Sequence, residues 1–286
     1  MARLYVLGGG GWVPTPRRST NCYLLETRRS AILFDCGAGA ARLGDPMIQA
    51  VLRRVPRVLV LLSHYHHDHV EGLSYLPFFL RDHELVVAAP PSKTTGIAAR
   101  DALERFAGSP FLPRPLLGWA SWFPKGFEAV ELREGRNRVA GESVEVAPQP
   151  HSDPCVGFRV RDVCYVTDTT ARPETAAFAK GAALLVHDAW LDAEDREAGV
   201  EDLSRHATAE GAATIARDAG VRELVLAHLN PAYPEARLER MRFAAARIFP
   251  SAHLADDFRV FEAKAADDEE AAVEAADPAA AVRDDG

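Results

Sequence analysis

Short apolar runs separated by charged or glycine-bearing turns set the pattern of the first third of the chain. Residues 3–7, 22–26 and 31–35 are rich in Leu, Val, Ile and Tyr and are bounded by such turns, which predicts strands. Residues 58–63 (VLVLLS) are apolar almost throughout, as expected of a strand covered on both faces, and residues 85–89 repeat the pattern. A helix is predicted over 92–107, with short strands at 130–132 and 143–147. Residues 156–160 and 163–167 form a predicted hairpin, and 183–187 and 224–228 are further apolar strands. Residues 208–219 predict a helix with Thr208 as N-cap and Gly220 as its stop. Residues 234–248 predict a helix with Pro near its start, and 258–261 a last strand. Strands bunched in sets with helices between the sets suggest stacked sheets clad by helices.

One segment has no period. Residues 106–127 (FAGSPFLPRPLLGWASWFPKGF) carry two of the four tryptophans and a cluster of phenylalanines and prolines. A lid over a pocket, a homodimer contact and ordinary packing against the body are all open for it.

Composition narrows the class. With 286 residues, 48% hydrophobic, the chain can bury one large core, assigned here to residues 1–262. No apolar run approaches the roughly 18 residues of a membrane span. The start, MARLYVLGGGG, reaches glycine too early for a signal peptide, so a cytoplasmic protein is expected. The four cysteines lack metal-ribbon or C-x-x-C spacing, and buried reduced thiols are expected, although Cys155 and Cys164 are close enough in sequence to meet across a hairpin. The net charge of −8 is concentrated at the C-terminal end: eight acids against Lys264 and Arg283 leave about −2 for residues 1–262. Residues 263–286, Ala-rich, acidic and without aromatics, read as a disordered tail. The nearly neutral body has no basic stripe of the kind nucleic-acid binders show.

The chemistry is concentrated in SHYHHDHVEG, residues 63–72, directly after the apolar run 58–63. In extended backbone, residues two apart point the same way, so His64 and His66 project together while Tyr65 and His67 point away. Asp68 and His69 turn onto a second direction as the chain leaves the strand. Imidazole nitrogens with a carboxylate suit Zn²⁺.

The order His64-x-His66-x-Asp68-His69 at a strand end resembles the signature of the metallo-β-lactamase superfamily of binuclear metallohydrolases. Three later strand-end residues, His151 after SVEVAPQP, Asp168 in CYVTDT and His228 in ELVLAH, match the rest of that pattern. The resemblance implies an α/β fold, a four-layer αββα sandwich of two mixed β-sheets flanked by helices. It implies two Zn²⁺ ions (Mn²⁺ or Fe as alternatives), with His64, His66 and His151 on the first, Asp68, His69 and His228 on the second, and Asp168 bridging. It also implies that Asp35, in FDCG, orients a ligand histidine.

Within the superfamily, the opening GGGGWVPTPRRSTNCYLLE, the segment VHDAW (186–190) and RHATAEGAATIARDAGVRELVLAH (205–228) resemble ribonuclease Z and its phosphodiesterase relatives. In that group an acidic residue and a histidine pair beside the metals; here they would be Asp188 and His206, with His206 aiding the leaving oxygen and Asp68 accepting the proton of the attacking water. Hydrolysis through a metal-bridged hydroxide is implied, between cations about 3.5–4 Å apart. Arg17 or Arg18 is a candidate for steadying a phosphate oxygen.

Three departures weigh against transfer-RNA processing. Only 17 positions separate His151 from Asp168, room for a hairpin but not for the RNA-gripping arm that ribonuclease Z carries there. The H-F-S-x-R-Y ending reads His228-Leu229-Asn230-Pro231-Ala232-Tyr233, and the P-x-K-x-R-N loop has no counterpart. A small or cyclic phosphodiester is the expected substrate. A lactone or thioester hydrolase, a ribonuclease Z-like tRNA 3′ endonuclease and a non-catalytic metal-stabilised module are the alternatives.

Overall fold

The computed structural model describes residues 2–108, 112, 116–198 and 205–263. The chain lays down six strands of a first sheet, β1 (Ala2–Gly8), β2 (Cys22–Glu26), β3 (Ala31–Phe34), β4 (Arg57–Leu61), β5 (Glu84–Ala89) and β6 (Phe127–Glu131). It then builds a second sheet from β7 (Gly135–Val139), β8 (Glu142–Gln149), β9 (Cys155–Val160), β10 (Val163–Val166), β11 (Leu184–Asp188), β12 (Glu223–Ala227) and β13 (Ala252–Leu254). The last strand, β14 (Val260–Ala263), returns to pair with β1. The orders are β14-β1-β2-β3-β4-β5-β6 and β13-β12-β11-β10-β9-β8-β7. Both sheets are mixed. β1 to β3 and β7 to β10 are antiparallel, whereas β3 to β6 and β10 to β13 are parallel.

Alternation along each strand makes the layers. On β1, Leu4 and Val6 join Phe34 of β3, Phe158 of β9 and Val186 of β11 in the core between the sheets. Tyr5 and Leu7 face outward and pack with Val51 and Leu52 of the helix Pro46–Leu52. Beyond the second sheet, Ala212 and Ala216 of the helix Ala209–Ala219 and Leu238 and Met241 of Glu235–Ala246 cover Leu185 and Leu224. Phe34 stacks on Tyr165 across the central layer, ring centroids 5.1 Å apart, a pairing worth about 0.5–1.5 kcal/mol beyond its buried area. This is the expected αββα sandwich.

Several local expectations shift. The predicted helix 92–107 is two helices, Ser92–Thr95 and Ala99–Phe106, because Gly96 takes φ +74° and ends the first. β7 and β13 escaped prediction: β7 (GRNRV) is polar and half-exposed, and β13 has three residues. Ala263, assigned to the tail, pairs with Ala2 in β14; the rest of that tail, 264–286, lies outside the described residues. In the 106–127 segment Trp119 and Phe123 are buried in the core, while 109–111 and 113–115 lie outside the described residues. All four cysteines are buried free thiols. Cys164 stands opposite Arg159, so the hairpin does not bring Cys155 to it. Among the described residues no helix is long and apolar enough to cross a membrane.

Candidate metal centre

The predicted donor residues all leave strands at one edge of the sandwich. Asp35 follows β3, His64 follows β4, His151 follows β8, Asp168 follows β10 and His228 follows β12, while Asp188 ends β11. In a sheet with parallel strands the carboxyl ends open onto a crevice, so short excursions from several strands converge there. Three of these residues carry left-handed backbone: Asp35 (φ 54°), Asp168 (φ 55°) and His228 (φ 54°). That conformation is strained for a non-glycine residue, and it re-aims each side chain sideways off its strand.

His64, His66, His151 and Asp168 place one donor atom each within 4.8 Å of one another, and Asp68, His69 and His228 do the same. Asp168 lies between the two sets. Its Oδ1 is 3.3 Å from Nε2 of His228 and 3.6 Å from Nε2 of His151, and its Oδ2 is 3.2 Å from Nε2 of His69. Asp168, His206 and His228 form a third such set. All seven sequence-predicted donors are thus brought together.

Neighbours hold the imidazoles in one orientation. Asp35, with no exposed surface, accepts from the Ser63 N–H (2.7 Å) and Oγ–H (2.8 Å), the Tyr165 hydroxyl (2.7 Å) and Nδ1 of His69 (2.7 Å). A proton on Nδ1 would leave Nε2 of His69 as the lone pair for a cation. Burial alone would depress His69, but Asp168, Asp68 and Asp35 raise it well above the ordinary histidine range. Nδ1 of His64 is 3.0 Å from Ser63 Oγ, and Nε2 of His66 is 2.8 Å from Asp153 Oδ2, which leaves its Nδ1 for the cluster. Sequence reasoning found Asp35 but missed Ser63, Tyr165 and Asp153; of these only Asp153, two residues after His151 in HSDP, had a positional hint.

The glycine run pins β12. Gly11 N–H bonds the Leu229 carbonyl (3.1 Å), Leu229 N–H bonds the Gly9 carbonyl (3.0 Å), and a Cβ on Gly11 would overlap the His228 ring. The next residue, Trp12, donates its N–H to Oδ2 of Asp68 at 2.7 Å.

Donor chemistry fits a divalent cation such as zinc. Nε2 of His64 is buried with no hydrogen-bond partner among the described residues, though buried polar atoms are nearly always paired. Burial, followed by the neighbouring imidazoles, holds His64 well below the ordinary histidine range, so it is neutral and ligand-ready. Burial opposes ionisation of Asp68 and Asp168, yet the surrounding histidines hold both carboxyls below their ordinary range. Lone pairs and carboxylates facing one another across this space call for a positive charge between them.

Asp188 and His206 meet as predicted. Nδ1 of His206 is 2.6 Å from Asp188 Oδ2, and Oδ1 accepts the N–H groups of Trp190 (3.1 Å) and Ala207 (3.0 Å). Burial alone would depress His206, but the charge and hydrogen bond of Asp188 raise it to about 9. The cap of the following helix is Thr208, so His206 is not needed for capping. Arg18 is not available for a phosphate. Its guanidinium is buried and paired with Glu235 and Asp256, whereas Arg17 is exposed.

Two sheets with a histidine and aspartate cluster at the ends of parallel strands define a metallohydrolase of the β-lactamase type. The beta-lactamase superfamily domain model matches residues 30–229, and the chain belongs to that superfamily. It falls in the ribonuclease Z-like branch. Ribonuclease Z of a Mycobacterium species (strain KMS) is 30% identical over 92% of this chain and 96% of its own length. Ribonuclease Z of Methanothermobacter thermautotrophicus is 26% identical over 93% and 98% respectively. The latter alignment runs over 324 positions, more than the 286 residues of this chain, so that relative carries insertions absent here. Among solved structures, the metallo-beta-lactamase fold protein YhfI of Bacillus subtilis superposes with a TM-score of 0.71 at 20% identity, covering 91% of this chain and 98% of that one. Family and donor set together support a metal-dependent hydrolase.

Proposed function

We propose that this protein is a phosphodiesterase that hydrolyses small or cyclic phosphodiesters with two divalent ions, zinc in the first instance. The observation that carries the reading is the Asp188–His206 pair, seated in the same donor cluster as Asp168 and His228. An alkoxide leaving a phosphorus centre needs a proton, and a histidine whose other nitrogen is fixed by a carboxylate supplies it. Bound ions would lower the pKa of a water toward neutrality and stabilise negative charge on the phosphoryl oxygens. His64, His66 and His151 would hold one ion, Asp68, His69 and His228 the other, with Asp168 between them. Asp68, held in place by the Trp12 N–H, is the acceptor for the proton of the attacking water. His206 keeps Nδ1 on Asp188 and delivers a proton from Nε2.

A thioester hydrolase expels a weakly basic thiolate and has no use for the Asp188–His206 pair. A lactone expels an alkoxide and would use such a donor, so turnover on the substrate panel separates that reading. Transfer-RNA processing has one observation in its favour: the curated relatives are named ribonuclease Z, which weighs against excluding RNA as a substrate. Against it stands the interval from His151 to Asp168, filled by the β9–β10 hairpin with no room for a gripping arm. The reading includes a reducing, cytoplasmic setting, supported by the four free thiols.

The test is turnover by zinc- or manganese-loaded protein of aryl and alkyl phosphodiesters, cyclic nucleotides, a thioester, a lactone and precursor tRNA. Asp68→Ala should abolish phosphodiester turnover. His206→Ala should cost about 100- to 10,000-fold on alkyl esters and far less on activated aryl esters. Equal losses on both ester classes would remove His206 as proton donor, and preference for precursor tRNA would replace the small-substrate reading.

A further inference from the structure

Two of the four tryptophans, Trp119 and Trp122, lie within the 106–127 segment and pack into the core outside the first sheet. The other two are tied to the cluster's carboxylates by their backbones. Trp12 gives its N–H to Asp68 at 2.7 Å, and Trp190 gives its N–H to Asp188 at 3.1 Å. Each indole is therefore held within one side chain's length of a carboxylate proposed to act in the reaction. Trp12 is 73% exposed and adopts φ 63°, a strained backbone for a bulky aromatic residue. Nothing in core packing repays that arrangement, since the ring stands in solvent. Trp190 is partly exposed. Its ring stacks on His206 with centroids 5.2 Å apart and planes 24° apart, and lies 5.1 Å from the His228 ring.

We propose that Trp12 and Trp190 form a two-sided stacking site at the mouth of the metal centre, which binds a nucleobase next to the scissile phosphate. The proposal rests on the phosphodiesterase reading and specifies its substrates as nucleotide phosphodiesters. Indoles recognise flat π-systems through their faces, and stacking between aromatic side chains and bases is tolerant of base identity. Trp190 sits against His206, the proposed proton donor, which puts the indole on the leaving-group side of the site. Trp12 approaches from the Asp68 side. A substrate without a planar group would gain little from either ring.

The experiment uses zinc-loaded protein and two substrates, an adenine dinucleotide and the same phosphodiester with the second base replaced by hydrogen. The ratio of kcat/KM between them is read for wild type, Trp12→Ala, Trp190→Ala and the two Phe variants. Binding of a 2-aminopurine nucleotide is followed in parallel by its fluorescence. Each Ala variant should lower the base-over-abasic ratio and the nucleotide affinity by roughly 5- to 150-fold, and each Phe variant should recover most of the loss. Unchanged ratios and affinities in both Ala variants overturn the stacking site. Equal loss on both substrates for Trp190→Ala, with no effect of Trp12→Ala, also overturns it, leaving Trp190 as packing behind His206. A wild-type protein that binds the fluorescent nucleotide through these indoles yet cleaves neither diester upholds the stacking site and refutes the phosphodiesterase reading.

Discussion

Asp35 gives the sharpest test of how the donor cluster is oriented, because Asp35→Asn keeps the side-chain shape while it replaces one oxygen by NH₂ and removes the charge. Four donors converge on the native carboxylate: Ser63 N–H, Ser63 Oγ–H, Tyr165 O–H and His69 Nδ1–H. An amide has one oxygen. If that oxygen keeps the Ser63 N–H, the NH₂ faces the other three donors, and His69 can relieve the clash only by moving its proton to Nε2. That tautomer points N–H at the cation position and removes a ligand. Each hydrogen bond to a charged acceptor contributes about 1.5–3 kcal/mol, partly offset because a buried charge is removed. The expected loss is therefore about 2–4 kcal/mol of apoprotein stability, read by urea unfolding. Zinc affinity, measured by chelator competition under conditions where both proteins are folded, should fall about 10- to 100-fold. Tyr165→Phe, which takes away one donor and leaves the carboxylate, should cost less on both counts. Wild-type zinc affinity in Asp35→Asn would show that His69 is oriented by something else, whatever happened to stability.

Other expectations follow from the same geometry. Gly11→Ala places a methyl on the His228 ring and should weaken binding of the second zinc equivalent by at least 10-fold, seen as a lower metal content after dialysis. Arg18→Ala should lower stability by about 1–3 kcal/mol while leaving KM for phosphodiesters within a few-fold, because the guanidinium serves Glu235 and Asp256; a large rise in KM alone would reinstate it as a phosphate contact. Removing metal with a chelator should lower the melting temperature, since the native state binds ions that the unfolded chain does not hold in place, and restoring zinc should recover it. An unchanged melting temperature would argue that the cluster does not hold a cation.

Much of this protein is legible along the chain. Apolar runs ending in polar, titratable residues identify β4, β10 and β12 together with His64, Asp168 and His228, because a buried strand and its exit residue are adjacent in sequence. The spacing of His64, His66, Asp68 and His69 is likewise local, and so is the Thr208 cap. What lay beyond the sequence depends on distant elements meeting. Arg18 reads as a free cation until Glu235 and Asp256, more than two hundred residues later, are folded against it. Tyr165 reaches Asp35 only once the two sheets stack, and Asp153 meets His66 only when the end of β8 lies beside the end of β4. Left-handed turns at Asp35, Asp168 and His228 leave no pattern in residue type, since the strain is sustained by the hydrogen bonds and packing around them. Sequence by itself determined which groups exist and the strand ends from which they project. Only the tertiary structure decided which lone pairs face one another, because orientation is set by partners brought from other parts of the chain.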